Sequence, residues 1–259
     1  MKTGLILSGG GYRGIAHIGV IRAMEEAGIK PDAIAGTSAG AVVGALYASG
    51  LSTGEMLEFF KGLQLFSIGN YAFGKPGWLD PDNFYESFRE FLSVDDFSSL
   101  EIPLKVTATN ILDGKLEVFE EGPLVRPLLA SAAFPGVFAP VEIGKGYYVD
   151  GGVINNFPED LLREECERLI GVYVNPFEEV KRSEIRNSIT VLERVLKLKT
   201  AQESIHKFDL CDLVVYPKEL RKYSTFLEKD LDTIFDLGYR EAKKQLAAAS
   251  GDSSKTREA

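Results

Sequence analysis

The sequence predicts an α/β fold of three layers, with a mainly parallel central sheet between helices. Short apolar runs alternate with longer segments whose apolar residues recur at helical spacing, and glycine-rich turns join the first two runs to the segments that follow. The chain is also large enough for one full core, with 259 residues of which 45% are apolar.

Residues 5–7 read as a buried strand, and Ile15, Ile18, Val20, Ile21 and Met24 then fall at helical spacing until Gly28 ends the helix. Residues 33–35 are a second short strand. After residues 36–40 comes AVVGALYASG, a helix whose small side chains let it approach a sheet closely. Further strands are expected at 104–109, 116–119, 147–149, 169–174 and 213–216, with helical patterns before, between and after several of them. Such alternation makes most strands parallel and covers both faces of the sheet. No internal repeat or Pro/Ser-rich linker divides the chain, so one domain over 1–249 is expected, followed by a disordered tail over 250–259, SGDSSKTREA.

Twenty-nine Lys and Arg against 38 Asp and Glu give a net charge of -9, which repels phosphate backbones and speaks against nucleic acid as a partner. Cys166 and Cys211 lack metal-site spacing and read as free buried thiols, as in a reducing cytoplasm. The start, MKTGLILSGGG, lacks the apolar core of a signal peptide, and no apolar run is long enough to cross a bilayer. A cytoplasmic protein is expected, with peripheral contact to a membrane surface left open.

Gly36-Thr37-Ser38-Ala39-Gly40 matches GxSxG between a strand and a helix. In that context small flanking residues permit a sharp turn that lifts a serine hydroxyl above the sheet. A glycine-rich turn with a helix-capping serine has the same sequence signature. Amides at the helix start, that of Ala39 foremost, can stabilise an oxyanion forming beside Ser38.

Gly9-Gly10-Gly11-Tyr12-Arg13-Gly14 follows a strand and, as GxGxxG, admits a dinucleotide. Asp32 has roughly the spacing of a ribose-binding acid, yet it precedes the second strand, whose end GTSAG occupies. The competing reading is an oxyanion hole, because Gly9, Gly10 and Gly11 leave their amides uncovered by side chains. Arg13 either braces this loop through backbone carbonyls or adds positive field beside the oxyanion.

A serine nucleophile needs a base within hydrogen-bond reach. Asp150-Gly151-Gly152 follows the run 146–149 and puts a carboxylate at a strand end, although Asp-Gly is equally a common turn. His17 lies one turn into the first helix, where packing or loop support fits it better. His206 completes the chain order of an α/β-hydrolase triad, but it falls near the end of the amphipathic pattern of Ile185, Ile189, Leu192 and Leu196 and reads as a surface histidine. A dyad of Ser38 and Asp150 fits better, and its carboxyl needs a pKa raised by burial or hydrogen bonding to serve as base.

Phe59, Phe60, Leu63, Leu65, Phe66, Tyr71, Phe73 and Trp78 gather within 59–80 as a lid or acyl-chain mouth, or simply as packing beneath loops. Lys181, Arg182, Arg186, Arg194, Lys197 and Lys199 form a basic segment that reads either as a local headgroup contact or as a solvated helix face.

In order, GGGYRG, GTSAG and DGG resemble the shared marks of the patatin-like phospholipases, GGGxRG, GxSxG and DG[GA]. ASAAFP at 130–135 is similar to a fourth block, and the run from GGGYRG through GALYASG is similar to the bacterial and neuropathy-esterase-like branch. The resemblance covers residues 4–165 and implies a patatin-like three-layer fold. It further implies lipid acyl ester substrates (phospholipids, lysophospholipids or related lipids), attack by Ser38, and proton transfer through Asp150. Gly9, Gly10, Gly11 and Ala39 would form the oxyanion hole, supported by Arg13, Gly36, Gly40, Gly151 and Gly152, with Ser131 structural and neither metal nor cofactor required. The rival readings are an acyltransferase or thioesterase using the same Ser38, and a lipid-binding protein with a relic site. No motif bears on oligomeric state.

Overall fold

A computed structural model describes residues 1–63, 65, 67–177, 179–226 and 230–255, with the backbone alone at 68 and 250–255. The strands are β1 (Thr3–Leu7), β2 (Ala33–Thr37), β3 (Leu104–Asn110), β4 (Lys115–Phe119), β5 (Val141–Ile143), β6 (Gly146–Asp150), β7 (Arg168–Val172) and β8 (Leu213–Val215). The helices are α1 (Ile15–Glu26), α2 (Ala39–Ala48), α3 (Thr53–Gly62), α4 (Tyr85–Phe91), α5 (Val125–Ser131), α6 (Ser188–His206) and α7 (Leu231–Lys255).

The strands form one sheet in the order β5-β6-β3-β2-β1-β7-β8, with β4 also beside β3. Strands β1, β2, β3, β7 and β8 pair in parallel, and β4, β5 and β6 are antiparallel. The seven strands expected from sequence are all present, with ends shifted by at most two residues. The eighth, β5, has only three residues and is a strand through its pairing with β6, Val141 opposite Tyr148 and Ile143 opposite Gly146.

Alternation along the strands sorts the core. Leu5, Leu7, Ile34, Ile170 and Val172 join one cluster, and Ile6, Ala33, Ala35 and Leu169 join another on the opposite face. The first face carries most of the helical packing, with Ile15 and Ile18 of α1, Leu46 of α2, Phe59 of α3, Leu128 of α5 and Ile234 of α7. Each such side chain contributes about 1.5–3 kcal/mol when fully withdrawn from water. The second face is thinner. Phe157, Tyr173, Phe208 and Tyr216 cover it with neighbouring ring centroids 5.2 to 6.0 Å apart, and Ser204 near the end of α6 bonds the Tyr173 hydroxyl.

Cys166 is buried and Cys211 half-buried, both free. Helix α7 runs to Lys255, so residues 250–255 continue a helix where the polar composition had predicted disorder. The helix pattern carried by Leu237, Ala242 and Leu246, buried against the core, propagates through the polar end. Residues 256–259 of that tail lie outside the described residues.

Candidate active site

The sheet brings two distant turns to one point. Strand β2 pairs with β3 up to Thr37 opposite Thr107, and β6 pairs with β3 from the other direction, with Asp150 opposite Ala108. Strand β4 occupies the opposite side of β3 over Val106 to Asn110. Strands β2 and β6 therefore share one side of β3 and meet end to end. Ser38 and Asp150 leave the sheet where they meet. Thr37 Oγ1 reinforces the junction, 2.7 Å from Thr107 Oγ1 and donating to the Asn155 carbonyl at 2.9 Å.

Ser38 sits between β2 and α2 with φ 54° and ψ -126°. A left-handed residue with a side chain costs about 1–3 kcal/mol and persists only where its surroundings over-determine it. Here they do. The Ser38 amide donates to Ser131 Oγ at 2.8 Å, and both residues are buried. A Cβ on Gly40 would lie 2.2 Å from the Leu7 carbonyl oxygen, and one on Gly36 2.6 Å from Ala41 Cα, so neither position has room for a side chain. The Ser38 hydroxyl makes no capping bond to α2 and turns instead to the Asp150 carboxylate.

Asp150 is buried, and its backbone amide donates to the Ala133 carbonyl at 2.9 Å. Burial pushes its carboxyl pKa from 3.8 up to about 6, against the opposing pull of the Ser38 hydroxyl and the Gly152 amide. That amide donates to Oδ1 at 2.7 Å and fixes the carboxylate beneath the DGG turn. Gly151 packs directly on Thr107, where an added Cβ would lie 2.4 Å from Oγ1.

The glycine loop is braced from three sides. His17 Nε2 lies 2.8 Å from the Ser8 carbonyl oxygen, and complete burial depresses the histidine pKa to about 4, so the ring is neutral and supports the loop. Asn175 Nδ2 donates to the Gly9 carbonyl at 2.6 Å, and Arg13 Nε donates to the Tyr223 carbonyl at 2.8 Å. Arg13 is buried in this bracing role and does not line the cavity described below. One expectation needs correcting: the Gly9 amide is spent on the Asn156 carbonyl at 3.3 Å. The loop that follows the DGG turn brings the Asn156 carbonyl against the glycine loop and consumes that amide. The amides of Gly10 and Gly11 have no partner among the described residues, and Ala39, first in α2, has no intrahelical acceptor. Asp32 accepts from the Thr3 amide at 2.7 Å, at the opposite end of the strands from the glycine loop, and does not act as a ribose ligand.

Gly10, Gly11, Ser38, Ala39, Asp150 and Gly152 open on a single cavity with apolar walls that include Val42, Phe60, Leu63, Phe84, Phe134 and Leu196. Within the aromatic segment the outcome is divided. Phe60, Leu63 and Leu65 line the cavity, Phe59 packs edge-on against Phe60 and Phe91, and Phe73 and Trp78 project into solvent. Phe66 lies outside the described residues.

The basic segment does not act as one face. Lys197 turns into the cavity wall, paired with Glu193 at 2.6 Å, and desolvation together with Arg13 lowers its pKa to about 8. Arg194 sits 4.5 Å over the Phe177 ring, and Lys199 donates to the Val153 carbonyl at 2.6 Å. His206 is exposed on α6.

Sequence reasoning passed over Asn156. Its side chain wedges between Gly9 and Gly152, lines the cavity, and leaves Nδ2 buried without a partner among the described residues. Its place four residues after Gly152 in DGGVINNFP was the available signal. Among the described residues no group of three or more His, Cys, Asp or Glu could hold a metal ion, and no helix is long and apolar enough to cross a membrane.

A buried serine on a strained strand-to-helix turn thus faces a buried carboxylate at the end of a mixed sheet. The family model for patatin-like phospholipase matches residues 5–163, more than half of the chain, and the chain belongs to that family. It is 36% identical over 160 residues to an uncharacterized NTE family protein of Mycobacterium tuberculosis, covering 61% of this chain and 44% of that one. It is 36% identical over 173 residues to Lysophospholipase NTE1 of Cryptococcus neoformans, covering 63% of this chain and 10% of that one. The chain thus spans less than half the length of these curated relatives. The crystal structure of VipD from Legionella pneumophila shares the fold with a TM-score of 0.64 at 17% identity, covering 95% of this chain and 67% of that one.

Proposed function

We propose that this chain is a lipid acyl hydrolase in which Ser38 is the nucleophile and Asp150 its base, carried by one α/β unit over residues 1–249. The meeting of a serine hydroxyl with a buried carboxylate, at the head of an apolar cavity, is the observation that carries this reading.

In the first half-reaction Ser38 Oγ attacks the ester carbonyl carbon while Asp150 accepts its proton. The carbonyl oxygen becomes an oxyanion within reach of the free amides of Gly10, Gly11 and Ala39, which cost no reorganisation as charge develops. Collapse of the tetrahedral intermediate expels the alcohol, which takes the proton back from Asp150. Water, deprotonated by the same carboxylate, then attacks the acyl-serine, and collapse of the second tetrahedral intermediate releases the fatty acid while Ser38 Oγ takes the proton back from Asp150. A carboxyl with a pKa of about 6 is a better base for this work than an ordinary aspartate, because its proton affinity lies closer to neutrality. The apolar cavity suits an acyl chain, and likeness to a lysophospholipase makes lysophospholipids the first substrates to try.

Hydrolysis of lysophosphatidylcholine and of a medium-chain p-nitrophenyl ester, with a chelator present, tests the reading on wild type, Ser38→Ala and Asp150→Asn. Both variants should stay folded and lose about 10⁴-fold in kcat. Ester hydrolysis surviving in Ser38→Ala at the wild-type rate sinks the mechanism.

A further inference from the structure

Residues 71–79 fold into a small hairpin in which Tyr71 pairs with Leu79 and the Ala72 amide donates to the Trp78 carbonyl at 2.8 Å. Its base is fixed to the cavity wall. The Trp78 and Leu79 amides donate to the Val137 carbonyl at 3.0 and 2.9 Å, and Leu79 bridges Phe138, which lines the cavity. Toward its tip Phe73 is 89% exposed, and the Trp78 side chain beside the base is 61% exposed. Lys75 between them is neutralised by Asp80 at 2.7 Å and Asp82 at 3.1 Å.

Helix α6 reaches the same wall from another side, since an added Cβ on Gly136 would lie 2.8 Å from Leu192 Cδ2. Leu196 of α6 lines the cavity. Yet Val191, Val195 and Leu198, which follow one another at helical spacing on the outer side, are 47%, 55% and 48% exposed. An amphipathic helix with a single core would be polar there.

We propose that the hairpin tip and the outer stripe of α6 form an interfacial surface that seats the cavity mouth on a zwitterionic lipid layer. Trp78 would lie at the level of the headgroups, where a ring with an apolar body and a polar N–H is favoured, and Phe73 would bury its wholly apolar ring beside it. Both elements are continuous with the cavity wall, so an acyl chain would pass from the layer toward Ser38 without crossing water. The net charge of -9 and the neutralised Lys75 give the hairpin no pull toward anionic lipid, which leaves apolar burial as its driving force. The use of this surface rests on the hydrolase reading, but the binding needs no turnover.

Trp78 is the only tryptophan in the chain, so emission excited selectively at tryptophan, beyond the absorption of the tyrosines, reports on the hairpin alone. The Ser38→Ala protein, mixed with vesicles of diacyl phosphatidylcholine, should show blue-shifted emission that acyl-chain bromines quench. The shift should persist at about 1 M salt, where the screening length is only about 3 Å. Phe73→Ala and Val195→Asp should each lower the partition coefficient about tenfold, as about 1.4 kcal/mol of lost apolar burial would do. In the Ser38-containing chain both should leave hydrolysis of a water-soluble short-chain ester unchanged. Emission that stays put on vesicles, partitioning abolished by salt, or variants that partition like the parent would overturn the proposal. So would a blue shift that grows with protein concentration without lipid, which assigns the surface to a second copy of the chain. Because binding is read without turnover, a wild type that fails to hydrolyse any ester would sink the function and leave this result standing.

Discussion

The elbow at residues 36–40 and the hairpin segment at 68–79 are both short turns rich in glycine, and they are held in opposite ways. At the elbow, Gly36 and Gly40 touch backbone atoms, Ser38 is locked in a left-handed conformation by Ser131, and Thr37 is tied to β3 and to the loop carrying Asn155. In the hairpin segment an added Cβ on Gly69 would meet nothing within 4 Å, and two large aromatics face solvent. The contrast teaches that the elbow is fixed on every side by the sheet, whereas the hairpin is held at its base, where Gly77 packs on Ala139, and is free toward its tip. A strained residue such as Ser38 has to be over-determined, because relaxing its turn would move the hydroxyl away from Asp150, which the proposed mechanism forbids.

The largest test of that contrast is one substitution made twice. Gly40→Ala drives a methyl into the Leu7 carbonyl and should lower stability by about 3 kcal/mol or more, with hydrolysis lost beyond what unfolding explains. Gly69→Ala should stay within about 0.5 kcal/mol of wild type in urea unfolding and hydrolyse a soluble ester normally. Equal losses at the two positions would erase the distinction.

Asp150 sharpens the comparison through pH. Its folded pKa of about 6 lies above the ordinary 3.8, so the folded chain holds this proton more tightly than the unfolded one. The stability it contributes is present below about pH 4 and lost as pH rises through 6. At pH 7 the ionised, buried carboxylate therefore costs about 3 kcal/mol, and Asp150→Asn should be more stable by up to that amount. The two proteins should converge near pH 4 in chemical denaturation. Over the same range wild-type kcat/KM should rise with pH as the base ionises. His17 runs the other way, because its pKa of about 4 lies below 6.5 and its contribution fades as pH falls between those values. It is common to both proteins and cancels in the difference.

Ser131→Ala should have a smaller effect than Gly40→Ala at the same elbow. Removing the acceptor of the Ser38 amide leaves a buried N–H unpaired, at a cost of about 1–3 kcal/mol. The expected kinetic signature is kcat reduced about tenfold with KM little changed, since the elbow is disturbed and the acyl cavity is not. A changed KM with an intact kcat would place Ser131 on the substrate side of the comparison.

The local instructions for this protein were written in its residues. Apolar runs of two periods gave seven of the strands, GTSAG between strand and helix marked Ser38, and DGG after an apolar run marked Asp150. These were legible because strand, turn and helix preferences act within a few residues. Strand β5 was not legible, since three residues become a strand only when β6 lies alongside. Nor was the loss of Gly9 as a donor, which depends on Asn156 arriving from far along the chain.

Tertiary structure alone decided that β2 and β6 meet end to end on one side of β3, and so that Ser38 and Asp150 face each other. It alone decided which basic side chain of α6 enters the cavity and which aromatics of 59–80 leave it. A pKa of about 6 at Asp150 is a property of the same kind, because burial belongs to the packed molecule and to no residue by itself.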